Sequence, residues 1–327
     1  MTKKVFLLQP IHDAGVALLR ARDDIQIAVA GDLSEETAIR EARGAHAIIA
    51  RARPVTRAII DAADTLRIVS RHGVGYDSVD VARLTERGIP LAIAIEANAL
   101  SVAEHTLYMI LALAKRGFTF DRAVKRGDFD IRNSLRGMEI AGKSLLIVGF
   151  GRTGSRVGRF ARAFDMNVYA CDPYIDQSKI TQAGCTPVDD YRAVLTEMDV
   201  VTLHCPLTEE TRGMIGDREL DRMKPSAYLV NCARGGIVDE RALRDALEGN
   251  AIAGAGLDVF DREPLPADDP LVAFDKLITS PHVAGVTHEA EIGMATSAAR
   301  NVLAAFDGTL DPAVVVNSEV LSPVTVR

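Results

Sequence analysis

The stretch KSLLIVGFGRTGSRVGRFARAF, residues 143–164, decides the fold. Its first part is a short apolar run with the length of a buried strand, and its second part has helical spacing. Between them Gly149, Gly151 and Gly154 form G-x-G-x-x-G. At a strand-to-helix turn the first glycine permits the tight bend and the second lets a pyrophosphate approach the backbone. The third lets the helix pack against the strand. The helix start, Arg152 and Thr153, offers free N–H groups and a partial positive charge to the phosphates. A second strand, NVYAC, ends in Asp172, about twenty residues on, as a dinucleotide-binding unit requires. A carboxylate there accepts hydrogen bonds from the adenosine ribose hydroxyls and repels a 2′-phosphate. No arginine follows it closely (Asp172-Pro173-Tyr174), so the cofactor reading is NAD(H) rather than NADP(H).

Outward from this turn, the alternation of strand and helix continues to about residue 285. The further strands are 200–206 (VVTLHCP), 227–234 (AYLVNCAR), 254–260 (GAGLDVF) and 277–283 (LITSPHV). A separate alternating series precedes it, with strands at 3–10, 25–29, 46–51, 66–73 and 90–94. The segment SEETAIREAR opens a helix with Ser34 as cap candidate. The long helix LSVAEHTLYMILALAK, 100–115, is capped by Asn98 or Ser101 and leads through a polar, Arg-rich stretch into the second series. Strands alternating with helices imply parallel sheets with crossover helices. The expected fold class is therefore α/β with two doubly wound parallel-sheet domains. The final helix, from about Val286, and the tail PAVVVNSEV are too short for a domain and are expected to return to the first part. This gives residues 1–98 as the first part of a substrate domain and 99–285 as an inserted Rossmann NAD-binding domain. Residues 286–327 form the returning segment.

The chain has 327 residues, more than one core usually supports. Hydrophobic residues make up 48% and charged residues 25%, the balance of an ordinary globular protein. The net charge of −7 argues against nucleic acid as a partner. Gln9, His12 and Asp13 interrupt the N-terminal apolar run before a signal core forms, and no run is long enough for a membrane span. The four cysteines, Cys171, Cys185, Cys205 and Cys232, form no C-x-x-C pair and read as small hydrophobes in a reducing compartment. The location expected is cytoplasmic, and no metal is expected at the site.

Three polar residues stand at strand ends of the second series: Arg234 after LVNCA, Glu263 after GLDVFDR, and His282 after LITSP. In open α/β sheets, ligands bind outside the carboxyl ends of the strands. The residue types suit hydride transfer. Histidine exchanges a proton near neutrality, a carboxylate beside it fixes the tautomer and stabilises the imidazolium, and arginine forks onto a carboxylate. Each alone is more often structural, but three at strand ends of one nucleotide domain point to catalysis.

The runs VGFGRTGSRV, LHCPLTEETRGMI, VNCARGGIVDE, AGAGLDVFDREPLP and ITSPHVAGVTHEA carry a further signal. With SRHGVGYDSVDV and EANALSVAEHTLYMILALAKR they give the chain, over nearly its whole length, a resemblance to the D-isomer-specific 2-hydroxyacid dehydrogenases. That family includes D-3-phosphoglycerate dehydrogenases and hydroxypyruvate or glyoxylate reductases. The resemblance implies a catalytic triad of Arg234, Glu263 and His282 and a discontinuous, flavodoxin-like substrate domain. It also implies a homodimer. Asp258 and the backbone of Cys232, Ala233 and Arg234 would lie near the nicotinamide amide, with His204, Cys205 and Pro206 beside the adenosine. Ser101 would lie near the cofactor and Asn98 near the substrate. The loop 71–77 resembles the family's carboxylate-binding loop, with Val74 and Gly75 presenting backbone N–H groups.

The substrate implied is a small anionic 2-hydroxy or 2-oxo acid, resembling 3-phosphoglycerate or hydroxypyruvate. Arg51, Arg53 and Arg71 lie at or after strand ends of the first series, and Arg51 and Arg71 would suit a second substrate anion. A structural role for them is equally open. His72 and Tyr76 depart from the small residues usual in phosphoglycerate enzymes. The alternatives are a glyoxylate or sulfolactate dehydrogenase or reductase, or a non-enzymatic, NAD-sensing protein resembling the corepressors of the same family. Those corepressors carry a tryptophan in the cleft, and this chain has none.

Overall fold

The computed structural model describes residues 2–321; residues 322–327, the end of the expected returning segment, lie outside the described residues, as does residue 1. The chain divides into two compact units, Met1–Asn98 with Val286–Arg327, and Ala99–Gly285.

Among the described residues, the first unit holds β1 (Lys3–Leu7), β2 (Ile25–Val29), β3 (Ala47–Ala50), β4 (Ile68–Arg71) and β5 (Leu91–Ile93). Their order is β2-β1-β3-β4-β5 and every pairing is parallel, the flavodoxin-like arrangement. Alternate residues of a strand face opposite sides. Val5 and Leu7 therefore enter one apolar layer while Phe6 and Leu8 enter the other, all at most 1% exposed. This burial on both faces is why the strand reads as a continuous apolar run rather than an alternating one.

The helix His288–Asp307 belongs to this unit. Thr287 caps it by accepting from Ala290 N, and Gly308, at φ +71, ends it. Its Ala295, Ala298, Ala299 and Val302 are fully buried in the layer of Val5 and Leu7. The helix Asp13–Arg20 crosses it at Gly15, where a side chain would lie 2.5 Å from the Ala295 carbonyl oxygen. Beyond the helix, Val315 bridges Ala92, and buried Asn317 accepts from Leu91 N and donates to the Ile89 carbonyl. Nothing in the tail's apolar pattern distinguished Asn317 from a surface asparagine.

The second unit holds β6 (Ser144–Val148), β7 (Asn167–Cys171), β8 (Thr186–Pro187), β9 (Val200–Leu203), β10 (Tyr228–Asn231), β11 (Gly254–Leu257) and β12 (Leu277–Thr279). Their order is β12-β11-β10-β9-β6-β7-β8, again all parallel. This is the Rossmann sheet with one strand added beside β11. The two-residue edge strand β8 has no sequence signal of its own. Leu146 and Val148 face one apolar layer, Leu145 and Ile147 the other. The observed strands stop before the sequence pattern does. The residues past their ends, His204, Asp258 and His282 among them, run on as loops that carry the polar groups.

Cys171, Cys185 and Cys232 are buried, Cys205 is half-buried, and all four are free thiols. Among the described residues, no helix is long and apolar enough to cross a membrane.

Candidate active site

The glycine turn after β6 is built as the chemistry of a dinucleotide requires. Gly149 sits at φ +94, and a side chain on it would meet the His204–Cys205 peptide at 2.6 Å. That close approach puts His204, Cys205 and Pro206, past the end of β9, beside the turn. A side chain on Gly154 would lie 2.0 Å from the Gly149 carbonyl oxygen, so only glycine lets the helix Arg152–Ala163 start here. Gly151, in contrast, faces open space, with nothing within 4 Å of where a side chain would be. The turn is thus closed where it packs and open where phosphates would approach. Asp172, past the end of β7, accepts from Phe150 N at 2.7 Å and from Tyr174 N at 2.9 Å. The carboxylate is tied to the glycine turn and keeps further lone pairs for ribose hydroxyls. These residues fit NAD.

His204 is half-buried with its Nε2 3.1 Å from Thr202 Oγ1, and desolvation pushes its pKa down to about 3. It is a neutral polar group and no proton carrier. Burial likewise pushes the Cys232 thiol up to about 12 and the Cys205 thiol up to about 11, so neither is a thiolate nucleophile. Ser101 is buried in the first turn of the helix Ala99–Ala114.

The polar residues at the strand ends are held by one another's loops. His282 Nδ1 lies 2.7 Å from Glu263 Oε2, and Glu263 Oε1 accepts from Phe260 N at 3.0 Å. A carboxylate accepts only, so the neutral imidazole carries its hydrogen on Nδ1 and leaves the Nε2 lone pair for a ligand. Both side chains are accessible, His282 at 51% and Glu263 at 37%. Arg234 follows β10 and donates from Nη1 to the Ala233 carbonyl at 2.7 Å. Its own carbonyl accepts from the side chain of Asn231, which is buried and also accepts from Ala233 N. The next residue, Gly235, passes the Phe260 carbonyl so closely that a side chain would lie 1.9 Å from that oxygen. The arginine loop and the Glu263 loop are thereby packed backbone to backbone. Asn231 was missed from the sequence, because a strand-end asparagine carries no distinguishing pattern.

Asp258 is 1% exposed, and its carboxylate accepts from Ser280 Oγ, Val283 N and Ala284 N. The family resemblance implies a place for Asp258 near the nicotinamide; the structure gives it a structural task visible only in three dimensions.

In the first unit, Arg51 follows β3, Arg71 ends β4, the loop 72–77 follows it, and Asn98 lies past β5. All stand at the carboxyl ends of adjacent parallel strands. Arg51 Nη2 meets Glu291 Oε1 at 3.0 Å. Arg53 is a strut: its guanidinium donates to the carbonyls of Asp32, Leu33 and Ser34. Arg71 Nη1 donates to the His72 carbonyl at 2.8 Å and the Ala50 carbonyl at 3.3 Å, fixing the start of the loop. Val74 and Gly75 are half-buried. His72 is buried, its Nε2 has no hydrogen-bond partner among the described residues, and desolvation with the Arg51 charge pushes its pKa down to about 4.

The fold and this geometry define a Rossmann-type dinucleotide-binding protein with a histidine–carboxylate pair at its strand ends. The sequence model of the D-isomer specific 2-hydroxyacid dehydrogenase NAD binding domain matches residues 107–284. The chain is 37% identical over 92% of its length to a D-3-phosphoglycerate dehydrogenase of Archaeoglobus fulgidus, of which it covers 56%. It is 35% identical over 97% of its length to a glyoxylate reductase of Thermofilum pendens, of which it covers 95%. The solved structure of a D-lactate dehydrogenase from Aquifex aeolicus, complexed with NAD and lactic acid, superposes with a TM-score of 0.85. The two share 28% identity, over 96% of this chain and 99% of that one. The chain belongs to the D-isomer specific 2-hydroxyacid dehydrogenase family. It spans little more than half the length of the phosphoglycerate dehydrogenases that it matches.

Proposed function

We propose that this protein is an NAD-dependent dehydrogenase of a small anionic D-2-hydroxy acid, with His282 as acid/base, Glu263 as its partner and Arg234 as the fork for the substrate carboxylate. The observation that carries this is the 2.7 Å contact between His282 Nδ1 and Glu263 Oε2. It orients an accessible imidazole so that Nε2 is the atom that exchanges a proton. The residues that would hold NAD are the turn Gly149–Gly154 with Arg152 and Thr153, then Asp172, His204, Cys205, Pro206, Cys232, Ala233, Asp258 and Ser101. When bound, NAD supplies the site with acceptance or donation of one hydride at C2 of the substrate. In the oxidising direction neutral His282 takes the C2 hydroxyl proton at Nε2, and Glu263 stabilises the imidazolium. In the reducing direction the imidazolium returns that proton to the forming alkoxide. Arg234 holds the substrate carboxylate and polarises the C2 carbonyl. Arg51, Arg71, Val74, Gly75 and Asn98, at the strand ends of the first unit, are the residues we propose for binding the substrate.

Within the substrate range of 3-phosphoglycerate-like and hydroxypyruvate-like acids, Arg51 favours the uncharged end. Its guanidinium already meets Glu291, which a second substrate anion would have to displace. Arg53, as a backbone strut, offers no replacement. Initial rates with NADH or NADPH on glyoxylate, hydroxypyruvate, 3-phosphohydroxypyruvate and sulfopyruvate test the whole reading. Reduction of none of them would overturn it, and faster use of the phosphorylated acid would overturn the preference. Glu291→Gln should raise the relative kcat/KM for 3-phosphohydroxypyruvate about tenfold by freeing Arg51, in keeping with one charge-assisted hydrogen bond.

We also propose that the protein acts as a homodimer, located in the cytoplasm. An apolar groove in the second unit supports the dimer: Leu107, Tyr108, Leu111, Phe118, Phe160 and Phe164 line it, and Tyr108, Phe118 and Phe164 are more than 40% exposed. A patch of that kind marks an interaction surface. Light scattering should give twice the chain mass, and Phe118→Asp should shift it toward the monomer.

A further inference from the structure

Ser280, two residues before His282, donates its hydroxyl hydrogen to Asp258 Oδ1 at 2.5 Å. A carboxylate has no hydrogen to return, so this bond uses the only hydrogen that Ser280 has. His105 Nε2 lies 2.9 Å from the same Oγ, so His105 must be the donor there and Nε2 must carry the hydrogen. The chain of bonds has one direction: His105 Nε2–H to Ser280 Oγ, and Ser280 Oγ–H to Asp258.

Asp258 in turn holds the segment that bears the acid/base histidine. Its carboxylate accepts from Val283 N at 2.9 Å and Ala284 N at 2.8 Å, and its main-chain carbonyl accepts from His282 N at 2.8 Å. His282 sits at φ +55, in the left-handed region that a side chain disfavours, so its backbone persists there only while its surroundings hold it. The hydrogen bonds around it converge on one buried carboxylate, whose side-chain donor is Ser280. The Asp258 carboxylate sets which way the Ser280 hydroxyl points, and a donor on Oγ polarises that hydroxyl and strengthens the bond. His105 fills that place from the helix Ala99–Ala114, and its ring packs at 5.4 Å against Tyr108 of the same helix.

We propose that His105 is a positioning residue for His282, acting through Ser280 and Asp258. The proposal rests on His282 being the acid/base group. Without His105 the Ser280 Oγ loses its donor, its charge-assisted bond to the buried carboxylate weakens, and the turn that aims His282 loosens. The loss falls on proton transfer and leaves the dinucleotide turn untouched.

Steady-state reduction of glyoxylate and hydroxypyruvate by NADH, with the full chain, tests this. In His105→Leu, kcat should fall about tenfold while KM for the acid stays within about twofold. His105→Gln, which keeps a donor, should recover kcat to within about threefold of the wild type. The double variant His105→Leu/Ser280→Ala should lose no more than Ser280→Ala alone, because both act through one chain of bonds. Wild-type kcat in His105→Leu, a loss confined to KM, or single losses that multiply in the double variant would each overturn the proposal. If His105→Leu does not fold by circular dichroism, the pair Ser280→Thr and Ser280→Ala decides. Thr keeps the hydroxyl and should stay within threefold, and equal activity of the two overturns the idea. His282→Ala separates the failures: normal turnover there defeats the catalytic reading itself, whereas an inactive His282→Ala beside a fully active His105→Leu defeats only the role of His105.

Discussion

At the scale of single residues, chemistry is set by which atom is left over once structural bonds are made. His282 gives Nδ1 to Glu263 and keeps Nε2. His282→Ala should therefore lower kcat by about 10²–10⁴-fold, the range for removing a general acid/base. The NADH dissociation constant, read by fluorescence titration, should stay near the wild-type value, because the groups proposed to hold the dinucleotide lie elsewhere. Turnover close to wild type would assign the proton transfer to another residue. Asp172 makes the complementary case. Two backbone N–H groups already bind it, which fixes its carboxylate where ribose hydroxyls would arrive. NADH should be preferred over NADPH, and Asp172→Ala should shrink the kcat/KM ratio between them by about tenfold or more. A wild-type preference for NADPH would sink that assignment.

At the scale of elements, close backbone approaches matter more than side-chain contacts. Gly154 has the Gly149 carbonyl where a Cβ would sit, so Gly154→Ala must push the helix Arg152–Ala163 away from the turn. Overpacking of this kind costs about 1–3 kcal/mol or more. The expected outcome is a lower unfolding temperature together with loss of NADH binding by titration. Gly151→Ala meets no protein atom, so the free protein should keep its stability while cofactor affinity falls. If both variants behaved alike, the division of labour between the two glycines would be wrong. Gly154 was legible from the motif. Gly235, which packs the Arg234 loop on the Glu263 loop, was not, because its neighbour Phe260 is distant in sequence.

At the scale of the whole molecule, each unit holds a histidine that desolvation keeps neutral. His72 has its pKa lowered to about 4 and His204 to about 3, both mainly by desolvation. A group whose folded pKa is depressed leaves the unfolded chain binding more protons between the two pKa values. The stability these groups contribute is complete above the unfolded value near 6.5 and is lost as pH falls toward 4 and 3. For His72 alone this amounts to about 2 kcal/mol between pH 7 and pH 5. Denaturant unfolding at those two pH values should show a marked drop in stability. His72→Gln, which does not titrate, should flatten part of that slope. A slope unchanged by the substitution would mean that His72 takes up its proton without unfolding the unit.

The sequence by itself determined the α/β class, the dinucleotide turn and the strand-end position of Arg234, Glu263 and His282. These follow from local rules: apolar periodicity sets strands and helices, and a glycine spacing sets the turn. What only the tertiary structure decided are the partners. Arg51 reads equally as a substrate-binding and as a structural arginine, but the fold brings it to Glu291, 240 residues away, while Arg53 becomes a strut. Asp258 reads as a strand-end acid, yet it is the anchor of the His282 turn, joined through Ser280 to His105. Hydrogen bonds between residues far apart in the chain leave no periodicity to read. They exist only because the fold brings the carboxyl ends of parallel strands and the neighbouring helices side by side, and there the folded chain decides which polar groups are used up and which remain for chemistry.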